Sequence, residues 1–170
     1  GCDTIGAAIV IGNYIKELNE NAKIIIHRDR DYLTDEELLE TRKKVESKKF
    51  IFFSTNGVDI ESNFINSHHI NSLYPEITIE DLDSLILEAT NETERDSLDR
   101  LLKRYATKKI SGIKLIDMYN NDKERYRYGK KVYSRLKGKL QQRLGVNPNL
   151  LQQTKSIINY NLMINNDSPE

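Results

Sequence analysis

Two aspartates close the run Lys23-Ile-Ile-Ile-His27-Arg28-Asp29-Arg30-Asp31, and no other stretch of the chain suggests chemistry as directly. An Asp-x-Asp pair offers two hard oxygen ligands within reach of one divalent cation, and Mg²⁺ is held by one or two carboxylates and several waters. Three consecutive isoleucines are β-branched and favour a strand, and their lack of alternation predicts a strand covered on both faces in a parallel sheet. Asp29 and Asp31 then sit just beyond its carboxyl end. That edge is where open α/β sheets bind ligands.

The elements that must position this pair follow from periodicity. Ile5, Ala8, Ile9, Ile11, Ile15 and Leu18 recur at helical spacings, predicting a helix from about Thr4 to Asn19, capped by Asp3 or Thr4, with that face on the sheet. The strand Lys23 to His27 follows. Thr34-Asp-Glu-Glu37 is a capping-box pattern for a helix running to about Ser47. Phe50 to Ser54 reads as a second strand, far enough from the first for a strand, crossover helix, parallel strand unit. Thr55-Asn-Gly57 signals a turn, and Asp59 caps a short helix containing Ile60, Phe64 and Ile65. Were the two strands parallel neighbours, Asp59 and Glu61 would leave the same edge as Asp29 and Asp31. Four carboxylates would then converge on one crevice.

Beyond Pro75 the pattern becomes helical. Thr78 to Lys109 reads as one or two acidic helices with Ile79, Leu82, Leu85, Ile86, Leu98, Leu101 and Leu102 as the buried stripe and Asn91-Glu-Thr as a break. Lys114 to Tyr119 is a short helical or extended piece, Tyr128 opens a basic helix to about Leu144, and Asn147-Pro148 starts a last helix ending near Ile164. The tail from Asn165 is expected to fray. The division is therefore an α/β core over 1–75 and a mostly helical region over 76–170.

Composition excludes several classes. With 170 residues, 38% hydrophobic and 31% charged, the chain is expected to be a cytoplasmic protein of one domain plus a helical appendage. No apolar run approaches the ~20 residues of a membrane span, and the amino terminus lacks the zones of a signal peptide. Cys2 is the only cysteine, so neither a disulfide nor a cysteine zinc site forms within one chain. The first residue is Gly1 rather than methionine, and the chain is expected to be part of a longer protein. The formal net charge of zero is a cancellation: residues 59–99 hold eleven acidic residues against Arg95, and residues 123–143 hold nine Lys/Arg against Glu124.

The helix after Gly-Cys-Asp3, the Ile-Ile-Ile-His-Arg-Asp29-Arg-Asp31-Tyr run, the Ser54-Thr-Asn-Gly-Val-Asp59-Ile-Glu61-Ser segment and the later Gly129-Lys130 together resemble the TOPRIM nucleases. The likeness is to those related to the OLD (overcoming lysogenization defect) family and to the nuclease subunit of PARIS-type anti-phage defence. It covers roughly the first 65 residues. The resemblance implies a TOPRIM-like core of short parallel strands with flanking helices, and Mg²⁺- or Mn²⁺-dependent cleavage of DNA or RNA. It also implies an ATPase partner or fused ATPase, and an oligomer is possible. The metal site would comprise Asp29 and Asp31, with Glu61 or Asp59. One departure stands out: TOPRIM domains carry a further glutamate on a strand before the opening helix, and nothing precedes Gly1 in this sequence.

Phosphodiester hydrolysis needs an activated water, a neutralised phosphate and a stabilised leaving oxygen, all of which one or two Mg²⁺ ions supply. Asp29 and Asp31 would act as metal ligands, Glu61 would hold a second metal or orient water, and Lys130 is a candidate cation facing the phosphate. The basic segment 123–143, with Arg125, Arg127, Lys130, Lys131 and Arg135 and interleaved tyrosines, could follow a nucleic-acid backbone. Blander readings stand beside these. Asp29 and Asp31 could line a solvated loop beside Arg28 and Arg30, Asp59 could simply cap a helix, and the basic segment could pair with the chain's own acidic helices. Haloacid-dehalogenase-type phosphatases also use Asp-x-Asp after a strand, but want Thr or Val where Leu33 stands. His27 is expected to pack at the strand end, and His68-His69 lack the spaced partners of a zinc site. The alternative to an enzyme is a non-catalytic TOPRIM-like module binding protein or nucleic acid.

Overall fold

A computed structural model describes residues 4–108 and 110–152. Along them run α1 (Thr4–Leu18), β1 (Ile25–Arg28), α2 (Asp35–Glu46), β2 (Ile51–Ser54), a 3₁₀ turn (Ile60–Phe64), α3 (Ser67–Leu73), α4 (Ile79–Glu92), α5 (Glu94–Tyr105), α6 (Gly112–Asn121), α7 (Lys123–Tyr126) and α8 (Gly129–Leu144). The fold is mixed α/β and mostly helical, with one two-stranded parallel sheet. The described residues up to Ser54 form one compact unit and those from Thr55 a second.

In the first unit β1 and β2 pair in parallel with Ile25 opposite Ile51, Ile26 opposite Phe52, His27 opposite Phe53 and Arg28 opposite Ser54. Ile26 and Phe52 turn to the face that α1 and α2 cover, where they pack with Ile5, Ile9, Val45 and Phe50. The other face departs from the expectation of a strand covered on both sides: Ile25 is 60% and Ile51 38% exposed. Both helices gather their apolar residues on one face of the sheet, which leaves the isoleucines opposite uncovered among the described residues. Helix α1 departs likewise. Its buried stripe is Ile5, Ile9 and Gly12, whereas Ile11, Ile15 and Leu18 are exposed. Gly12 allows this seating, because a Cβ there would lie 2.8 Å from the Phe50 ring. Helix α2 starts as expected: Thr34 Oγ1 accepts from the Glu37 N–H at 3.2 Å and the Glu37 carboxylate accepts from the Thr34 N–H at 2.9 Å.

The second unit begins earlier than the change at Pro75 suggested. Ile65, Ile70 and Ile77 join Leu82, Ala89, Val132, Leu136, Leu140 and Leu150 in one core, so the segment after β2 packs with the helices that follow it. Each fully buried valine, leucine or isoleucine side chain contributes roughly 1.5–3 kcal/mol. Helix α4 ends at Glu92 and α5 starts at Glu94. The break is Thr93, whose hydroxyl donates back to the Ala89 carbonyl at 2.8 Å. Of the expected stripe, Leu82 and Leu101 are fully buried while Leu102 is 37% exposed. Two helices were not anticipated, α3 and α7. The former is capped by Asn66, whose Oδ1 accepts from the His69 N–H at 3.0 Å. Residues 147–152 are not helical, and the remainder of the helix expected to Ile164, the tail beyond it and the Asp3 cap lie outside the described residues. Among the described residues no helix is long and apolar enough to cross a membrane.

Helix α3 sets His69 in the core. Its ring is inaccessible to solvent, lies edge-on to Phe64 and places Nε2 2.7 Å from the Leu150 carbonyl, to which it donates. Burial holds the imidazole below its ordinary range, only partly opposed by that carbonyl. The unfolded chain therefore takes up a proton that the folded chain refuses, so this contribution is complete above about pH 6.5 and declines as the pH falls below it. Denaturant midpoints measured between pH 7.5 and 5.5 are expected to fall, and to fall less in His69→Gln; equal slopes in the two proteins would remove His69 as the cause.

Candidate functional site

The carboxyl end of β1 turns immediately. Asp31 takes a left-handed backbone with φ of 49°, a conformation that Asp tolerates better than most residues, and the Leu33 N–H donates to the Arg30 carbonyl at 3.0 Å. Tyr32 and Leu33 are buried, and Thr34 caps α2, so the Asp29–Asp31 loop is held between a strand and an anchored helix start. Arg30 is paired with Asp35. His27 packs at the strand end as expected, its ring 5.2 Å from that of Phe53.

Asp29 differs from an ordinary loop carboxylate in one respect. Its Oδ1 is shut off from solvent and has no hydrogen-bond partner, and His27 Nε2 stands 3.5 Å away. Leaving a buried polar atom unpaired costs about 1–3 kcal/mol, more when it is charged. Asp31 is exposed. Among the described residues no group of three His, Cys, Asp or Glu side chains is placed to hold a metal ion. A hard cation that keeps most of its waters needs fewer: one or two carboxylates suffice, and Asp29 with its unpaired oxygen, followed two residues later by Asp31, fits that demand in the chemistry of its donors.

Asp59 and Glu61 belong to the second unit, and there they part ways. Asp59 is buried and both its oxygens are engaged. Oδ1 accepts from the Ser62 N–H at 3.1 Å and the Ser62 hydroxyl at 2.9 Å, and Oδ2 accepts from the Lys130 N–H at 3.0 Å. One carboxylate thus caps the 3₁₀ turn and the amino end of α8, where the helix dipole favours negative charge. Glu61 is half-buried, with Oε2 inaccessible and without a hydrogen bond. The Tyr133 phenol is pushed up, chiefly by its own burial and less by the charge of Glu61. The Lys130 side chain is exposed; its backbone N–H serves Asp59.

The basic segment is largely spoken for within its own unit. Arg127 is 5% exposed and donates to the Ile65 carbonyl at 2.8 Å. On α8, Lys131 lies 3.9 Å from Asp96, Arg135 3.0 Å from Glu92, and Lys139 3.0 Å from Glu88 and 2.7 Å from Glu92, while Arg143 is paired with Asp81. Cations four residues apart on α8 meet carboxylates on α4 and α5 rung by rung. Arg125 stacks on Tyr126 at 5.3 Å, and the Tyr128 ring carries the Arg100 guanidinium at 3.7 Å. His69, set aside on the sequence, is a core residue, and Asn66 followed by Ile70 and Leu73 was the available signal for its helix.

No family model, curated protein or solved structure matches this chain.

The double cap makes a testable demand. A Cβ on Gly129 would stand 1.9 Å from Asp59 Oδ1 and 2.7 Å from the Ser62 nitrogen. Asp59→Ala leaves buried donors on two helical segments unpaired and is expected to cost on the order of 2–4 kcal/mol in denaturant unfolding. Gly129→Ala, by overpacking, is expected to cost about 1–3 kcal/mol. Losses below about 0.5 kcal/mol in both, the range of ordinary surface substitutions, would mean that the carboxylate does not hold these segments.

Proposed function

We propose that this chain carries a divalent-metal-dependent nuclease site of the TOPRIM kind, acting on DNA or RNA, with Asp29 and Asp31 as metal ligands. The observation that supports it most is the Asp29 Oδ1, an oxygen inaccessible to solvent and without a hydrogen bond on a side chain one-third (33%) exposed, at the carboxyl end of a parallel strand. A cation is the partner such an oxygen lacks. Bound there, Mg²⁺ or Mn²⁺ would neutralise the scissile phosphate and make a water nucleophilic near neutral pH.

The chain's own residues have simpler tasks. Asp29 and Asp31 supply negative charge on a loop pinned at both ends, and the imidazole of His27 at 3.5 Å restrains the Asp29 side chain. Glu61 and Lys130 belong to the second unit, and the proposed site is confined to Asp29 and Asp31. Asp59 leaves the ligand set, because a carboxylate that already accepts three hydrogen bonds has little to offer a cation. A cytoplasmic role in anti-phage defence beside an ATPase extends the same reading through the sequence resemblance.

A second reading has an observation of its own. The lack of a three-residue ligand group among the described residues, together with the use of Asp59 as a cap, favours a non-catalytic module that keeps the fold and binds protein or nucleic acid. Calorimetric titration of Mg²⁺ and Mn²⁺ into the chain, beside Asp29→Ala and Asp31→Ala, separates the two. The nuclease reading expects metal binding that is lost in Asp29→Ala and weakened in Asp31→Ala, loss of metal-dependent cleavage of labelled DNA or RNA in both, and a loss of stability in Asp31→Ala of about 1–2 kcal/mol at most, from alanine in a left-handed backbone. No metal binding by the unaltered chain would hand the case to the module.

A further inference from the structure

The stretch Arg100–Ile116 carries six cations, Arg100, Lys103, Arg104, Lys108, Lys109 and Lys114, and no carboxylate. Its described residues include the second half of α5 and the first half of α6. The ion pairs that tie α8 to α4 and α5 do not reach Lys103 or Lys114, both of which are exposed. Beside these lysines lie apolar side chains that the core does not use. Leu101 and Tyr105 of α5 and Leu115 and Tyr119 of α6 are buried, whereas Leu102 is 37%, Ile113 76% and Ile116 41% exposed. Leu102 Cδ2 lies 3.8 Å from where a Cβ of Gly112 would be, which sets it against the first turn of α6, next to Ile113. An apolar centre with a basic rim results.

We infer that this α5–α6 surface docks an acidic amphipathic helix of a partner protein. Scattered exposed aliphatics need no explanation, but three neighbours rimmed by unneutralised lysines have the anatomy of an interface, with apolar anchors inside and charge outside. Ile113 and Ile116, three residues apart, form a ridge against which leucines at i, i+3, i+4 and i+7 of an incoming helix pack. Carboxylates flanking those leucines meet Lys103 and Lys114, and the positive amino end of α6, capped by Ser111, adds to the attraction. Asp117 stands one turn along α6 from Lys114, so the acidic residues of the incoming helix gather toward Lys103 and the amino end of α6. A nucleic acid would use the lysines and leave the isoleucines in water, since isoleucine offers bases no stacking face.

The probe is a fluorescein-labelled amphipathic peptide of leucine and glutamate, titrated with the full chain by anisotropy. Saturable binding is expected, weakened about tenfold by Ile113→Ala and about tenfold by Lys103→Glu with Lys114→Glu. These side chains are exposed, and unchanged thermal unfolding will show that the variants fold. Absence of saturable binding up to about 1 mM, a leucine–lysine peptide binding equally well, or variants binding like the parent would each overturn the inference. So would oligothymidylate binding that is lost in the lysine variant and untouched by Ile113→Ala, which would assign the surface to phosphate.

Discussion

The second unit depends on a single carboxylate. Burying a charge is expensive unless it is met by hydrogen bonds, and Asp59 is met by three, from Ser62 twice and from the Lys130 backbone. The last of these spans 71 residues, so the segment after β2 is stitched to the start of α8 through one side chain. Two glycines keep the approach possible. Gly129 sits where any Cβ would strike Asp59, and Gly57 where one would stand 2.5 Å from the Ser62 Cβ. With α8 fixed at its first turn, Val132, Leu136 and Leu140 fall at one helical face and enter the core.

That placement also decides what becomes of the charge. A net charge of zero hides an acidic and a basic block, and in the folded unit the blocks face one another, α8 against α4 and α5. Exposed pairs of this kind contribute little individually and weaken with salt, so they steer the register of packed helices more than they hold them together. Their consequence for recognition is larger. A cation already beside a carboxylate offers a phosphate less than its count in the sequence suggests.

Local signals in the chain were legible where one residue's chemistry dominated. Thr34 with Glu37 specified the start of α2, Asp59 the 3₁₀ turn, and the isoleucine run β1, because caps and β-branched sterics act within a few residues. Faces were less legible. Ile11, Ile15 and Leu18 have the spacing of a buried stripe, but the close seating of Phe50 on Gly12 turned a different stripe inward, and that contact joins residues far apart in the chain. Helix α3 was hidden for a related reason: its apolar residues are few, and its stability comes from Ile70 and His69 meeting a core built by α4 and α8. Arg127 looked like a phosphate ligand because sequence counts charge and does not see the Ile65 carbonyl that takes it inside.

Two carboxylates among the described residues keep an oxygen that is inaccessible and without a hydrogen bond, Asp29 in the first unit and Glu61 in the second. Asp59, by contrast, meets three donors. Asp29 keeps an inaccessible oxygen without a hydrogen bond, although serines, threonines and backbone donors serve this purpose throughout the chain. Departures from local consistency concentrate where function is served at some expense of stability. An oxygen held ready in this way at a strand's carboxyl end has an evident use only if something positive arrives to claim it. Its place at the strand's carboxyl end, which Glu61 does not share, is why the metal-dependent reading is preferred to a solvated turn.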